Sequence, residues 1–390
     1  MRKTASLLCS AVIATALTMV AGPAQAAEGN ISAADGAEVV PGSYIVKMRD
    51  DVLSANANGL AAKFGGQVGH VYSSTIKGFS VKMSERQARR LAADPAVEYV
   101  QVDQVMRLQA TQVNPPSWGI DRIDQRLLPL DKKYTYNSSG KNVNAYVLDT
   151  GVRITHRDFG GRAKNGRDFV DNDNVAQDGH GHGTHVAGTI GGTTFGVAKD
   201  VTIHAVRVLN NQGSGTLAGV IAGIDWVGTN HVKPAVANMS LGGGANTALD
   251  QAVRGAILKG VTFAVAAGNA NTNAANTSPA RVKEAITVGS TEITDRRSSF
   301  SNFGPIVDVF APGTGITSAW NTSDTATNTI SGTSMATPHV VGVVARHLQG
   351  GFNQTPAQVE AAIVAAATPN KVTNPGAGTT TRLLHFAPTS

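Results

Sequence analysis

The stretch NAYVLDTGV, residues 144–152, holds an unbroken apolar run from Ala145 to Leu148, closed by Asp149 and Gly151. A strand that is apolar at both odd and even positions is covered on both faces, the pattern of a parallel sheet sandwiched between helices. The run extends back to Val143, and comparable strands are predicted at Ile203–Val208, Ala235–Met239, Val261–Ala266 and Ala285–Val288. Helical patterns open at about His182, Thr216, Leu249 and Ser334. Strands alternating with helices predict an α/β fold, a mostly parallel sheet in a three-layer α/β/α arrangement. In such sheets the working residues gather at the carboxyl ends of strands, where Asp149 lies.

Upstream of this unit the sequence changes character twice. Arg2 and Lys3 precede a mostly apolar stretch, Leu7 to Val20, and Ala24-Gln25-Ala26 supplies a small-x-small site. Residues 1–26 therefore read as a signal peptide; the stretch is short for a membrane anchor and runs into Gly22-Pro23. The one cysteine, Cys9, falls inside it, so the exported chain is expected to have no disulfide and no thiol nucleophile. Residues 27–109 read as a small α+β domain. Ser43–Met48 is a strand, Val52–Phe64 a helix ended by Gly65-Gly66, and Gly78–Met83 a strand. Ser84 caps a helix to about Ala93, and Val97–Val102 closes the set. That order suits a split βαβ, ferredoxin-like sandwich. The polar stretch Thr111–Ser117 marks the start of the large unit, taken as 110–390. A net charge of +6 comes from scattered basic residues with no arginine-rich or aromatic-interleaved face, which argues against a nucleic-acid partner.

Four motifs place reactive groups at predicted strand or helix ends. Asp149 ends its strand, and His182 stands in DGHGHGTHVAGTIGG. Asn269 ends VTFAVAAGN, and Ser334 opens the helix in SGTSMATPHVVGVVARHL. A serine hydroxyl needs a base to remove its proton, and neutral histidine serves near pH 7. A buried aspartate holds that histidine in one tautomer, and fixed N–H donors receive the developing oxyanion.

The ordered motifs DTG, HGTH, SLGGG, AAGN and GTSMATPH resemble the subtilase family. Within it, SWGIDRIDQRLLPL, WVGTNHVKPAVANMSLGGG and ITVGSTEITDRRSSFSNFG resemble its proteinase K-like branch and, more closely, aqualysin-type enzymes. The resemblance runs from about Ala110 to the end, and the preceding domain resembles the family's inhibitory propeptide. It implies a subtilisin-like fold and a secreted serine endopeptidase with Asp149, His182 and Ser334 as triad and Asn269 in the oxyanion hole. It further implies that Gly213, Ser214, Gly215, Ser240, Leu241 and Gly242 flank a bound peptide. Ala266, Ala267 and Gly268 would wall a pocket for an apolar or aromatic side chain. Calcium is the implied ion, held by Asp308 with the carbonyls of Lys283 and Ala285, and by a loop with Asp121, Asp124, Gln125 and Asp131. The implied partners are protein and peptide substrates and the chain's own propeptide; no membrane partner is expected, and a monomer is. Relatives of this branch often carry disulfides, and this chain departs from them there.

Other readings of the same residues are weaker. His180, His182 and His185 are spaced like metal ligands, but no second cluster completes a zinc site. Asp149-Thr150-Gly151 is also an aspartic-protease signature, and that chemistry needs a second copy which the sequence lacks. Gly242-Gly243-Gly244 has no lysine at phosphate-loop spacing. Asp171, Asp173 and Asp178 form an acidic loop that could hold an ion or be solvated.

Overall fold

The computed structural model describes residues 27–32, 39–74, 76–104, 110–350 and 353–386. The expected signal peptide, 1–26, and residues 105–109, the end of the expected propeptide, lie outside them. The chain divides into two compact units, one ahead of residue 106 and one from there on.

The first unit runs β1 (Ile31–Ser32), β2 (Val39–Met48), α1 (Ala57–Lys63), β3 (Gln67–Tyr72), β4 (Gly78–Lys82), α2 (Glu85–Ala92) and β5 (Val97–Gln104). Its sheet order, β1-β5-β2-β4-β3, is the ferredoxin-like arrangement with one short strand added at the edge. Ser84 and Gln87 form a reciprocal cap on α2, in which Gln87 Oε1 accepts from the Ser84 N–H at 2.8 Å. Helix α1 is shorter than the expected Val52–Phe64, because Ser54–Asn56 forms a 3₁₀ turn ahead of it. Ser54, Asn56 and Asn58 are weak helix formers, and they outweigh the apolar spacing there.

The second unit runs β6 (Ala110–Val113), α3 (Trp118–Ile123), β7 (Lys133–Tyr136), β8 (Asn144–Asp149), β9 (Ala163–Asp168), α4 (His182–Gly191) and β10 (Thr202–Arg207). It continues with α5 (Leu217–Asn230), β11 (Ala235–Met239), β12 (Gly243–Gly244), α6 (Thr247–Leu258), β13 (Thr262–Ala266), β14 (Thr277–Ser278) and β15 (Ile286–Thr291). The last elements are β16 (Val309–Pro312), β17 (Ile316–Ala319), β18 (Thr327–Ile330), α7 (Thr333–Leu348) and α8 (Pro356–Ala366).

A seven-stranded sheet, β16-β15-β13-β11-β8-β10-β9, is parallel throughout. On β8, Ala145 and Val147 point into a core with Val186, Ile190 and Val340 from α4 and α7. Tyr146 and Leu148 point into a second core with Val220, Ile224 and Val253 from α5 and α6. Both parities are buried, which is why the run is continuously apolar. After β10 the chain crosses to the other side of β8 to lay down β11, so strand order reverses there. That reversal opens a crevice at the carboxyl end of β8, and Asp149 stands in it. The edge strands β9, with the sequence AKNGRD, and β16 are absent from the sequence reading. A polar edge strand takes its structure from backbone pairing with β10, which leaves no apolar period to find.

Candidate active site

Asp149 is fully buried, and its Oδ1 accepts from His182 Nδ1 at 2.7 Å and from the Thr150 N–H at 2.7 Å. His182 is the first residue of α4, behind Gly181 at φ 113°. Gly183 lets this helix meet β8, since a Cβ there would collide with the Gly151 carbonyl. Burial alone would lower the His182 imidazole. The charge and hydrogen bond of Asp149, with the charge of Asp178, outweigh it and hold the pKa above the ordinary value.

Ser334 lies in the first turn of α7. Its hydroxyl donates to the Ser240 carbonyl at 3.1 Å, while Ser240 Oγ donates to the Ser334 carbonyl at 2.9 Å. That carbonyl is free because the residue one turn on is Pro338, which has no N–H to bond it. Among the described residues no hydrogen bond joins Ser334 to His182.

The Asn269 amide has one orientation, because its Oδ1 accepts from the Thr333 N–H at 2.8 Å and from Thr333 Oγ1 at 2.9 Å. Its Nδ2 therefore faces the space beside Gly332. A carbon placed on Gly332 would lie 3.6 Å from that nitrogen and 3.6 Å from the Ser334 backbone nitrogen. Two N–H donors thus converge on one small volume at the start of α7.

A cleft of about 670 Å³ is lined by His182, by Gly213, Ser214 and Gly215 on one side, and by Ser240, Leu241 and Gly242 on the other. Ala266, Ala267 and Gly268 do not line it. Ala267 is wholly buried in a separate core with Phe310, Ala266 is buried as well, and Gly268 is partly exposed.

The subtilase family profile matches residues 140–382, more than half the chain, and the peptidase inhibitor I9 profile matches residues 43–109. This chain belongs to the subtilase family. It is 54% identical over 361 residues to an extracellular serine proteinase of Thermus sp. (strain Rt41A), covering 87% of this chain and 88% of that one. It is 55% identical over 314 residues to alkaline serine exoprotease A of Vibrio alginolyticus, covering 79% of this chain and 58% of that longer one. A crystal structure of a cold adapted subtilisin-like serine proteinase matches with 59% identity and a TM-score of 0.67, over 69% of this chain and 97% of the other. The subtilase is a secreted serine proteinase that carries a propeptide inhibitor domain.

Two other histidines of this subtilase are held in its interior by hydrogen bonds to backbone carbonyls. His185 is buried and donates from Nε2 to the Ile316 carbonyl at 3.0 Å; His339 is buried and donates from Nδ1 to the Met335 carbonyl at 2.9 Å. Burial pushes both down to about 4. His180 is exposed on the cleft rim.

Among the described residues no three His, Cys, Asp or Glu side chains converge as a metal site. Calcium also takes carbonyl oxygens, so the expected loops are judged by their desolvated oxygens. Burial pushes Asp121 up to about 6 and Asp124 and Asp308 up to about 7, and Asp121 Oδ1 has no hydrogen-bond partner. Gln125 braces the first loop, its Oε1 accepting from the Asp131 N–H at 3.1 Å. Carboxylates held dry without a cation fit an ion site at both places. The acidic loop does not. Asp178 is bonded to the start of α4, Asp171 pairs with Arg207 at 2.5 Å, and Asp173 caps the Val175 N–H at 2.8 Å. Sequence reasoning gave no role to Thr333 or Thr150, and it read Asp178 only as an acid of a possible ion loop. Their hydroxyls and carboxylate act through partners that only the fold brings near, although each adjoins a motif residue.

Proposed function

We propose that this subtilase hydrolyses internal peptide bonds of proteins with Asp149, His182 and Ser334 as its triad. The observation that carries the reading is the 2.7 Å bond from His182 Nδ1 to a wholly buried Asp149 at the strand-order reversal; Ser334 is bonded to Ser240, which lines the same cleft as His182. Oriented by Asp149, the His182 Nε2 takes the proton from Ser334, whose hydroxyl must first leave the Ser240 carbonyl. The serine oxygen attacks the scissile carbonyl, and the oxyanion moves into the volume between Asn269 Nδ2 and the Ser334 N–H. His182 returns the proton to the leaving amine, an acyl-enzyme remains, and water releases it by the same path. A substrate backbone lies extended between Gly213–Gly215 and Ser240–Gly242, as an added strand. Broad specificity favouring apolar or aromatic residues before the cut follows from the small, uncharged residues Ala266, Ala267 and Gly268 as pocket wall.

Residues 1–26 act as signal peptide, 27–109 as intramolecular inhibitor and chaperone, and 110–390 as the catalytic domain, a monomer freed by self-cleavage near Ala110. Calcium, held by Asp121, Asp124, Gln125 and Asp131 and by Asp308 with the Lys283 and Ala285 carbonyls, supplies bracing and takes no part in the chemistry.

The test is expression of the precursor beside its Ser334→Ala twin, followed by intact mass and by cleavage of a peptide anilide ending in phenylalanine. The wild type is expected to shed the segment ahead of Ala110 and cleave the anilide. The twin is expected to stay whole, with turnover reduced about a millionfold, the scale of this loss in subtilisin. An active twin, or identical processing of both, overturns the reading.

A further inference from the structure

We propose that Asp178 is a positioning residue for catalysis, a buried carboxylate that locks the Asp149 end of β8 to the His182 end of α4 through Thr150. The inference rests on the triad proposed above.

Asp178 is 3% exposed, and its two oxygens receive five hydrogen bonds. Oδ1 accepts from Thr150 Oγ1 at 2.9 Å, the His180 N–H at 2.9 Å and the Gly181 N–H at 2.8 Å. Oδ2 accepts from the Thr184 N–H at 2.9 Å and from Thr184 Oγ1 at 2.6 Å. The donors at 180, 181 and 184 bracket His182 along the chain. The donor at 150 follows Asp149 directly. Thr150 Oγ1 also accepts from the Gly183 N–H at 2.9 Å, so one hydroxyl bridges the carboxylate to the residue after His182.

The lock is needed because the sequence leaves the helix end bare. Gly181, the N-cap position of α4, has no side chain to satisfy the first N–H groups, and glycine is required there at φ 113°. Asp178 supplies the missing acceptor from outside the helix, and its charge suits a helix amino terminus. An ordinary cap would touch α4 alone. This one also reaches the strand that presents Asp149, so the Asp–His separation and the cap are set by the same group.

Two signatures separate positioning from mere stabilisation. Thr150→Val keeps the side-chain volume and removes both bridging bonds, whereas Thr150→Ser keeps them. Misplacing His182 by a fraction of an ångström weakens proton transfer and leaves substrate binding alone. In matured, active-site-titrated enzyme, Thr150→Val is expected to lower kcat about 10–100-fold with KM within about twofold, and Thr150→Ser to stay within about threefold of wild type. The charged or titratable groups facing His182 are Asp149, Asp178, His180 and His185. Asp178→Asn removes one of the two negative charges, so the acid limb of kcat/KM is expected to move to lower pH. Thr150→Val is expected to leave that limb where it was.

Equal activity of Thr150→Val and Thr150→Ser overturns the proposal, as does an acid limb unmoved in a folded Asp178→Asn enzyme. If Asp178→Asn does not fold, the Thr150 pair alone decides. Ser334→Ala run alongside separates the two readings: an active Ser334→Ala enzyme sinks the triad, while an inert one beside a Thr150→Val of wild-type activity sinks only the role of Asp178.

Discussion

His182 sits between opposing pressures, and their balance sets the pH at which the base is available. Burial disfavours the imidazolium, while the Asp149 carboxylate and the nearby Asp178 favour it more strongly, so the pKa is held above the ordinary 6.5. Catalysis needs the neutral ring. Activity should therefore fall on acidification through a midpoint above 6.5, checked by the pH profile of kcat/KM on a peptide anilide. A midpoint at or below 6.5 would contradict the geometry. The linked stability term has the opposite sense. A histidine whose pKa rises on folding contributes stability below 6.5, and that contribution is lost as pH climbs through the raised value. Thus His182, in its proposed role as base, is most useful where it stabilises the fold least.

The elements that carry the site are packed unusually close. Helices α4 and α7, which carry His182 and Ser334, pack against each other, and glycines permit their approach. Gly342 on α7 is one: a Cβ there would lie 2.5 Å from the Val197 Cβ and 3.2 Å from the Ile190 carbonyl oxygen. Gly342→Val adds a branched side chain to this seam, and the small helix-propensity gain does not compensate the overpacking. A loss of about 1–3 kcal/mol is expected, read as a thermal midpoint lower by several degrees in the Ser334→Ala background, where self-digestion is removed. An unchanged midpoint would mean that the helices can part here without cost. Pro338 shows the same economy of placement: a residue that breaks helices elsewhere frees the Ser334 carbonyl for Ser240.

Over the whole molecule, long-range pairs supply stability, desolvated carboxylates cost it, and a single cysteine allows no intrachain disulfide. Arg122 and Asp295, 173 residues apart, form a buried pair at 2.7 Å. Asp121, Asp124 and Asp308 are pushed up to about 6, 7 and 7 by burial when no cation balances them. A carboxylate raised on folding costs stability as pH rises through its folded pKa, and a bound cation removes that cost. Excess chelator should therefore shorten the lifetime at elevated temperature, more at pH 8 than at pH 5, while the initial rate stays within about twofold. Half-lives of thermal inactivation with and without chelator check this, and equal half-lives at pH 8 would remove calcium from the account.

The sequence by itself determined the parallel sheet and singled out the residues proposed to react, for one physical reason. Strands buried on both faces are mostly apolar at odd and even positions alike, and Asp149, which ends β8, and Asn269, three residues beyond β13, stand out as polar punctuation. The ferredoxin-like unit was legible through the Ser84 cap and the Gly65-Gly66 break. Only the tertiary structure decided which groups meet. The polar strand β9 is held by backbone bonds that carry no side-chain signature. The Ala267 side chain shares a core with Phe310, a partner far off in the sequence that no local pattern names. Asp178 read as one acid of an ion loop, and the fold spends it on α4 and Thr150, partners set by three-dimensional proximity and not by spacing along the chain.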